Sequence, residues 1–252
     1  MAIRYVLENF INVSTLDSVS SEDTLYVKGN MYNKRQSLPW RMTAKTNQYA
    51  VFDLGSDRPT IICILNHNFN SGVTLTLKAD DDPPNWGAPA WTQALTYHAL
   101  NIWYSWSDKD YRWWRLEISD AGNPSNPEIG ELVLYTYGTF TRNYRWPYTE
   151  GIEYVKGDLR TAWGQRWRQR RAKLKKFALE FYGVSDTHLV SEIEAFFEAL
   201  DGDLPFVLIP EHTESDCWYV DCLNDLEARR EFYNINSFTL DLEEQSRGIE
   251  LL

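Results

Sequence analysis

Cysteine is scarce in this 252-residue chain, and the three that occur, Cys63, Cys217 and Cys222, are too few and too widely spaced for a disulfide scaffold. Cys217 and Cys222 are five positions apart, so on one strand they would point to opposite faces. No pair of Cys or His completes a zinc quartet, and all three thiols read as small core residues of a protein in a reducing compartment. Histidine is as sparse: His67, His98, His188 and His212 have no motif partner. The nucleophile elbow Gly-x-Ser-x-Gly, the zinc motif His-Glu-x-x-His and a Gly-rich phosphate loop are all missing. The chain is therefore not expected to be an enzyme, and no catalytic residue, metal ligand or cofactor is expected. No window of 18 apolar residues exists, which excludes a membrane-spanning helix. Arg4 and Glu8 break the apolar run at the start, so it does not read as a signal peptide, and folding in a cytosol is expected.

Positive charge is the next shortage. With 25 basic and 36 acidic residues the net charge is −11, which excludes general attraction to nucleic acid or anionic membrane. The exception is local, because from Arg160 to Lys176 there are eight basic residues and no acidic one. Such a polarised chain suits subunits that meet basic face to acidic face. It equally suits a solvated strand edge that Lys and Arg protect from aggregation.

Helical periodicity is also rare. It occurs clearly once, inside a strand, helix, strand unit in the second half. Phe177, Leu179 and Phe181 alternate with Ala178, Glu180 and Tyr182, which is the pattern of a half-buried strand. After Gly183, Ser185 to Thr187 offer N-cap oxygens. Leu189, Ile193, Phe196 and Leu200 then recur at helical spacing with Val190 and Phe197 beside them, predicting a helix over 186–201. Gly202 sits at the C-cap, and an apolar strand follows from Leu204 to Pro210. Cys217–Leu223 and Asn236–Glu243 read as further strands.

The first half reads as strands alone. Tyr49–Gly55 is one, and Pro59–Leu65 is a continuous apolar run, as expected for a strand covered on both faces. Val73, Leu75 and Leu77 alternate with polar residues, while Asp80–Leu100 reads as a long loop. Ile102–Trp106 and Tyr111–Ile118 are predicted to pair across Ser107–Asp110, and Glu128–Leu134 is the last strand. Residues 141–172 read as a junction of loop and basic strand. Trp40, after a Pro, reads as a core anchor.

Tyr49-Ala-Val-Phe-Asp-Leu-Gly55, an apolar run ending in Asn66-His-Asn68, Trp113–Asp120 and Glu128-Ile-Gly-Glu-Leu-Val-Leu134 occur in an order that resembles the galactose-binding-like (discoidin-type) β-sandwich. The version it resembles is found in tail-tip proteins of long-tailed bacteriophages, and the likeness covers residues 1–140. Residues 155–247, including Phe196–Phe206 and Leu240–Glu244, are similar to the small helix-flanked β-barrel that builds the rings of phage tail tubes and distal tail proteins. The order of the two parts is inverted relative to the commoner distal-tail arrangement. The resemblance implies a mainly β protein, with a jelly-roll-like sandwich over 1–148 and a split β-barrel flanked by one α-helix over 152–252. It further implies a structural virion protein at the tail tip, made in the bacterial host cytoplasm. Its partners would be copies of itself in a ring, a hexamer by the family pattern, together with the tail tube protein, the baseplate hub and other tail-tip proteins. The alternative is a carbohydrate-binding module for a host-surface glycan, and a glycosidase stands third.

Two sets of residues are candidates for binding. Trp86, Trp91, Trp103, Tyr104 and Trp106 put flat rings beside polar loops, where they would stack on sugar faces. Against this, Trp103 and Trp113 would fill the sandwich core while Trp86 and Trp91 pin the long loop or sit in an interface. Trp163, Trp167, Arg168, Arg170 and Arg171 are candidates for a subunit seam, opposite an acidic set of Glu211, Glu214, Asp216, Asp221, Asp225 and Glu227. Asp80–Asp82 offer oxygen ligands to calcium but match no known loop spacing. His67, between two asparagines, reads as a turn residue bonded to its own sheet.

Overall fold

The computed structural model describes residues 3–81, 84–107, 109–145, 148–160, 166–200, 204–210 and 216–246, with the side chains of 156–172 outside that description. The described residues are mainly β, with several antiparallel sheets, a short 3-10 helix (Lys28–Tyr32) and one longer helical stretch. It divides into two bodies. The first comprises Glu8–Gly138 and Thr213–Trp218; the second comprises Met1–Leu7, Thr139–His212 and Tyr219–Leu252. Where the sequence suggests one cut between residues 148 and 152, the division also assigns the N-terminal strand β1 (Arg4–Val6) to the second body.

The first body is a sandwich. Its strands are β2 (Leu16–Val19), β3 (Trp40–Arg41), β4 (Gln48–Asp53), β5 (Ile61–His67), β6 (Thr74–Asp80), β7 (Trp91–Leu95), β8 (Ile102–Ser105), β9 (Trp113–Ser119) and β10 (Glu128–Tyr135). One sheet has the order β3-β10-β5-β8 and the other β2-β4-β9-β6-β7. Alternation decides which side chains meet between them. Ile62, Ile64, Leu132 and Leu134 come from the first sheet, and Phe52, Leu75, Leu77, Trp114, Leu116 and Ile118 from the second, in one core. Trp40 is fully buried there, and its indole N–H donates to the Ser21 carbonyl at 3.1 Å. Each aliphatic side chain buried in this way stabilises the fold by roughly 1.5–3 kcal/mol. Ile61 to Leu65 are all buried, as the continuous apolar run predicts.

Three sequence expectations fail in this body. The long loop from Asp80 to Leu100 contains β7, which pairs with β6 from Leu75↔Leu95 to Ala79↔Trp91. Gln93 interrupts its apolar alternation and hides the strand from a periodicity reading. Ile102–Trp106 and Tyr111–Ile118 do not pair with each other: β8 lies beside β5, while β9 lies between β4 and β6 in the opposite sheet. The chain crosses the sandwich there, carrying buried Trp106 into the core. Trp103 and Trp113 are not the core residues, because each sits one position out of phase with its inward neighbours Ile102 and Trp114.

The second body continues through β11 (Gly138–Thr139), β12 (Thr149–Arg160) and β13 (Arg166–Val184). Three joined helical parts follow: α1 (Asp186–His188), a π-helical turn (Leu189–Glu194) and α2 (Ala195–Leu200). Then come β14 (Phe206–Ile209), β15 (Trp218–Cys222), β16 (Arg229–Phe232) and β17 (Ile235–Glu244). One sheet takes the order β11-β1-β14-β15-β17-β13-β12, with β16 on β17. Residues 149–160 are thus a strand rather than part of a junction, and β13 begins ahead of Lys173. Cross-strand pairs Phe177↔Leu242, Leu179↔Leu240 and Phe181↔Phe238 line up buried side chains on one face. Phe196 closes on it, 5.0 Å from the Tyr5 ring, 5.2 Å from Phe140 and 5.3 Å from Phe206. The Ser185 side chain caps the helix by accepting from the His188 amide. Leu189–Glu194 is wound as a π turn, and Ile193, Phe196 and Leu200 are buried as their helical spacing predicts, while Val190, expected beside them, is exposed. Gly202 lies outside the described residues.

Candidate functional site

Three of the five aromatic candidates converge. Trp106 stacks on Trp114 with ring centroids 5.0 Å apart and meets Trp91 at 5.6 Å, while Trp91 stands edge-on to Trp114 at 5.7 Å. Tyr104 lies 6.2 Å from Trp106 and donates its hydroxyl to Gln93 Oε1 at 3.0 Å. The Lys109 ammonium lies 5.9 Å from the Trp91 centroid. Trp106 and Trp114 are core, and Trp91 and Tyr104 are the half-buried members. The nearby end of the sheet is polar: Arg112 grips Asp53 through two bonds of 2.7 and 2.6 Å. Those bonds hold the Asp53 carboxyl below the usual carboxylate range. Half-buried rings beside amide and ammonium groups can bind a ligand with one apolar and one hydroxylated face. Trp114 was missed by the sequence reading, although its alternation with Leu116 and Ile118 places it inward.

Trp86 and Trp103 lie apart from this cluster. Trp103 projects from β8 at the position opposite Cys63, on the side of that sheet facing away from the core. Trp86 belongs to the outer face of the five-stranded sheet, where the Arg115 guanidinium lies 4.1 Å from the Tyr49 centroid and 5.6 Å from that of Trp86. Glu117 bridges Arg115 at 3.0 Å and Lys78 at 2.9 Å. Tyr49, Thr74, Thr76, Arg115 and Glu117 border a shallow depression of about 270 Å³ there.

His67 and Asp80 have hydrogen-bond partners within the fold. His67 accepts the Phe69 amide on Nδ1 within its own turn, and its Nε2 lies 3.0 Å from the His98 carbonyl in the segment after β7. Asp80 accepts backbone amides from Asp81 and Asn85, a turn-closing role, and Asp82 lies outside the described residues. Among the described residues no three His, Cys, Asp or Glu side chains are grouped to hold a metal ion. Burial, with the adjacent Cys217 thiol, raises the Cys63 thiol well above its usual range.

Sequence reasoning also passed over Glu131, which is 1% exposed in the middle of β10. Burial pushes its carboxyl from 4.5 to about 9, opposed by the Lys34 amide that donates to it at 3.0 Å. Lys34 sits at φ +63°, and Gly130 leaves room for the passing Gln36 carbonyl, which a Cβ would approach to 2.3 Å. Glu131 therefore ties the 34–36 segment to the sheet as a neutral acid.

A second surface is the hairpin of β12 and β13. The two strands pair from Thr149↔Ala178 to Arg160↔Arg166, but β17 accompanies β13 only from Lys176 to Val184. Residues 152–160 and 166–175 thus form a ribbon of two strands, and β12 ends the sheet order with its outer edge unpaired by the strands described. Ile152, Tyr154 and Val155 on it are 47%, 42% and 37% exposed. At the root, Lys176 pairs with Glu153 and, at 3.0 Å, with Glu243. Of the seam candidates, Trp163 lies outside the described residues. The backbones of Trp167, Arg168, Arg170 and Arg171 lie on β13, with their side chains outside the description. Asp216 belongs to the sandwich and pairs with His98 at 3.3 Å, Asp221, Asp225 and Glu227 belong to the sheet body, and Glu211 and Glu214 lie outside the described residues.

No protein-family model matches the chain, and no curated protein matches it in sequence. Solved structures similar to it include chitosan-binding module 1 of a chitosanase/glucanase from Paenibacillus sp. IK-5, at 14% identity and a TM-score of 0.41 over 51% of this chain and 98% of that one. A fucose-binding module of Streptococcus pneumoniae matches at 14% identity and a TM-score of 0.41, over 52% of this chain and 99% of its own. The lectin domain of lectinolysin, complexed with Lewis B antigen, matches at 13% and 0.40, over 51% and 96%.

Proposed function

We propose that this chain is a non-catalytic structural protein that assembles with copies of itself into a ring at the tip of a long-tailed phage tail, joining the tail tube to the baseplate hub. The observation that carries the assembly is the paired ribbon of residues 152–160 and 166–175. A hairpin of two strands is marginal in water by itself, and an edge strand with exposed apolar side chains is a template for pairing with another chain. The place at the tail tip comes from the sequence resemblance alone. Sedimentation and native mass measurement of the full chain test the reading: a closed oligomer, six-fold by the family pattern, is expected. A chain that stays monomeric up to millimolar concentration would refute it.

A second reading, glycan binding by the sandwich, is favoured by the half-buried Trp91 and Tyr104 rings beside Gln93 and Lys109. Titration of the full chain with bacterial surface polysaccharides, followed by tryptophan fluorescence, tests it. A saturable change that Trp91→Ala removes is expected, and a flat response to every polysaccharide sinks it.

A further inference from the structure

The five-stranded sheet of the sandwich turns one face to the core, and the residues one step along each strand face the other way. Register sets out that outer face as a grid. Tyr49 on β4 lies opposite Glu117 on β9, which lies opposite Thr76 on β6, while Arg115 lies opposite Lys78 and Ser119 opposite Thr74. Most of the grid lines the depression of about 270 Å³, to which Asn47 adds an exposed side chain just ahead of β4. Charge is unbalanced there. Glu117 is shared by Lys78 at 2.9 Å and Arg115 at 3.0 Å, so among the described residues two cations face one carboxylate. One positive charge is left over in a chain whose net charge is −11. Aromatic rings fix its place: the Arg115 guanidinium lies 4.1 Å from the Tyr49 centroid and 5.6 Å from that of Trp86, whose carbonyl accepts from Lys78 at 3.2 Å. Around this charge, the side chains of Asn47, Thr74, Thr76 and Ser119 make no hydrogen bond with another described residue.

We infer that this outer face binds one uronate unit, a sugar ring that carries a carboxylate, and the inference rests on neither reading above. Trp91 packs against the core on the other side of the same sheet, so this is a separate site. A guanidinium held between two rings offers a carboxylate two parallel N–H bonds, a fork that Lys lacks. Sugar hydroxyls both donate and accept, and so match the Thr and Ser hydroxyls and the Asn amide around it. Size sets the number of units. Sites for drug-sized ligands run from about 300 to 1,000 Å³, so a depression of about 270 Å³ holds a single ring. Charge sets the kind of ring. One leftover positive charge matches a monoanion, whereas a phosphate carries about −1.5 to −2 at neutral pH and a neutral hexose leaves the guanidinium unanswered.

Calorimetric titration of the full chain with D-galacturonate and D-glucuronate, beside galactose, glucose and glucose 6-phosphate, tests this. One of the uronates should bind about tenfold or more tightly than its neutral hexose and than the sugar phosphate, and its affinity should fall as salt is added. Arg115→Lys keeps the charge and removes the fork, so uronate affinity should drop about tenfold. Arg115 is half-buried, and a second variant keeps the test decisive if that one misfolds: T74V with S119A, at an exposed and a half-buried position, should leave the circular dichroism unchanged and weaken uronate binding about threefold or more. No uronate binding, equal affinity for uronate and hexose, tighter binding of the phosphate, or uronate binding that both variants leave intact would each overturn the site. Uronate binding lost in Trp91→Ala and kept in both of these variants would overturn it too, while leaving glycan binding at the aromatic cluster standing. Self-assembly is read separately by sedimentation and survives any of these results.

Discussion

In the sandwich, Trp106 and Trp114 stack 5.0 Å apart within a core to which both sheets contribute. In the sheet body, Tyr154 stands 42% exposed on β12, the last strand of its sheet. Both regions use aromatic and β-branched residues at strand spacing, yet one has closed its apolar surface and the other has left a ribbon of it open. The difference lies in what backs each strand. Every strand of the sandwich contributes one face to a common interior, whereas among the described strands the distal halves of β12 and β13 pair only with each other. A closed region should answer mutation with lost stability, and an open one with lost association.

The largest effect should come from the closed side. Trp114→Ala removes the ring at the centre of the cluster, and about 3–5 kcal/mol of stability should go with it, read as an earlier urea transition in tryptophan fluorescence. The far-ultraviolet helix signal, which belongs to the sheet body, should keep its midpoint. If both signals fall together, the two bodies do not hold separate cores and the contrast breaks.

Glu131 supplies the next effect. The fold keeps its proton up to about pH 9, while the unfolded chain releases it near 4.5, so the native state holds the extra proton between those values. Stability contributed by this group is full below pH 4.5 and falls as pH rises, by as much as ~1.4 kcal/mol per pH unit in that window. Glu131→Gln can still accept the Lys34 amide and should flatten the dependence, which melting curves at about pH 5 and about pH 8 would measure. An unchanged slope would mean that Glu131 is ionised in the fold.

The smallest change in stability is expected on the open side. Tyr154→Ser should move the unfolding midpoint by no more than about 0.5 kcal/mol, as exposed substitutions do, yet weaken assembly in sedimentation. Loss of stability comparable to that of Trp114→Ala would show that the ribbon is already covered within its own chain.

Of the five aromatic candidates, Trp91, Tyr104 and Trp106 come together and Trp86 and Trp103 lie elsewhere. Trp91, Tyr104 and Trp106 meet because β7, β8 and the crossover to β9 bring them together across two sheets, a long-range event that leaves no local mark. Trp103 and Trp113 are as aromatic as their neighbours and point the other way, since one step along a strand reverses the face. Glu131 is one acid among many in the sequence, and only burial by surrounding strands distinguishes it.

By itself the sequence determined the local elements. Phe177, Leu179 and Phe181 face inward because alternation is a property of the strand, and Ser185 caps the helix because its oxygen needs only the amide three residues on. The tertiary structure decided the partners: β1 beside β14, β8 and β9 in opposite sheets, and β12 left at an edge. Period-two patterning specifies a face and leaves the neighbour open. Pairing is chosen by which apolar faces can be buried together, and that is a sum over the whole chain.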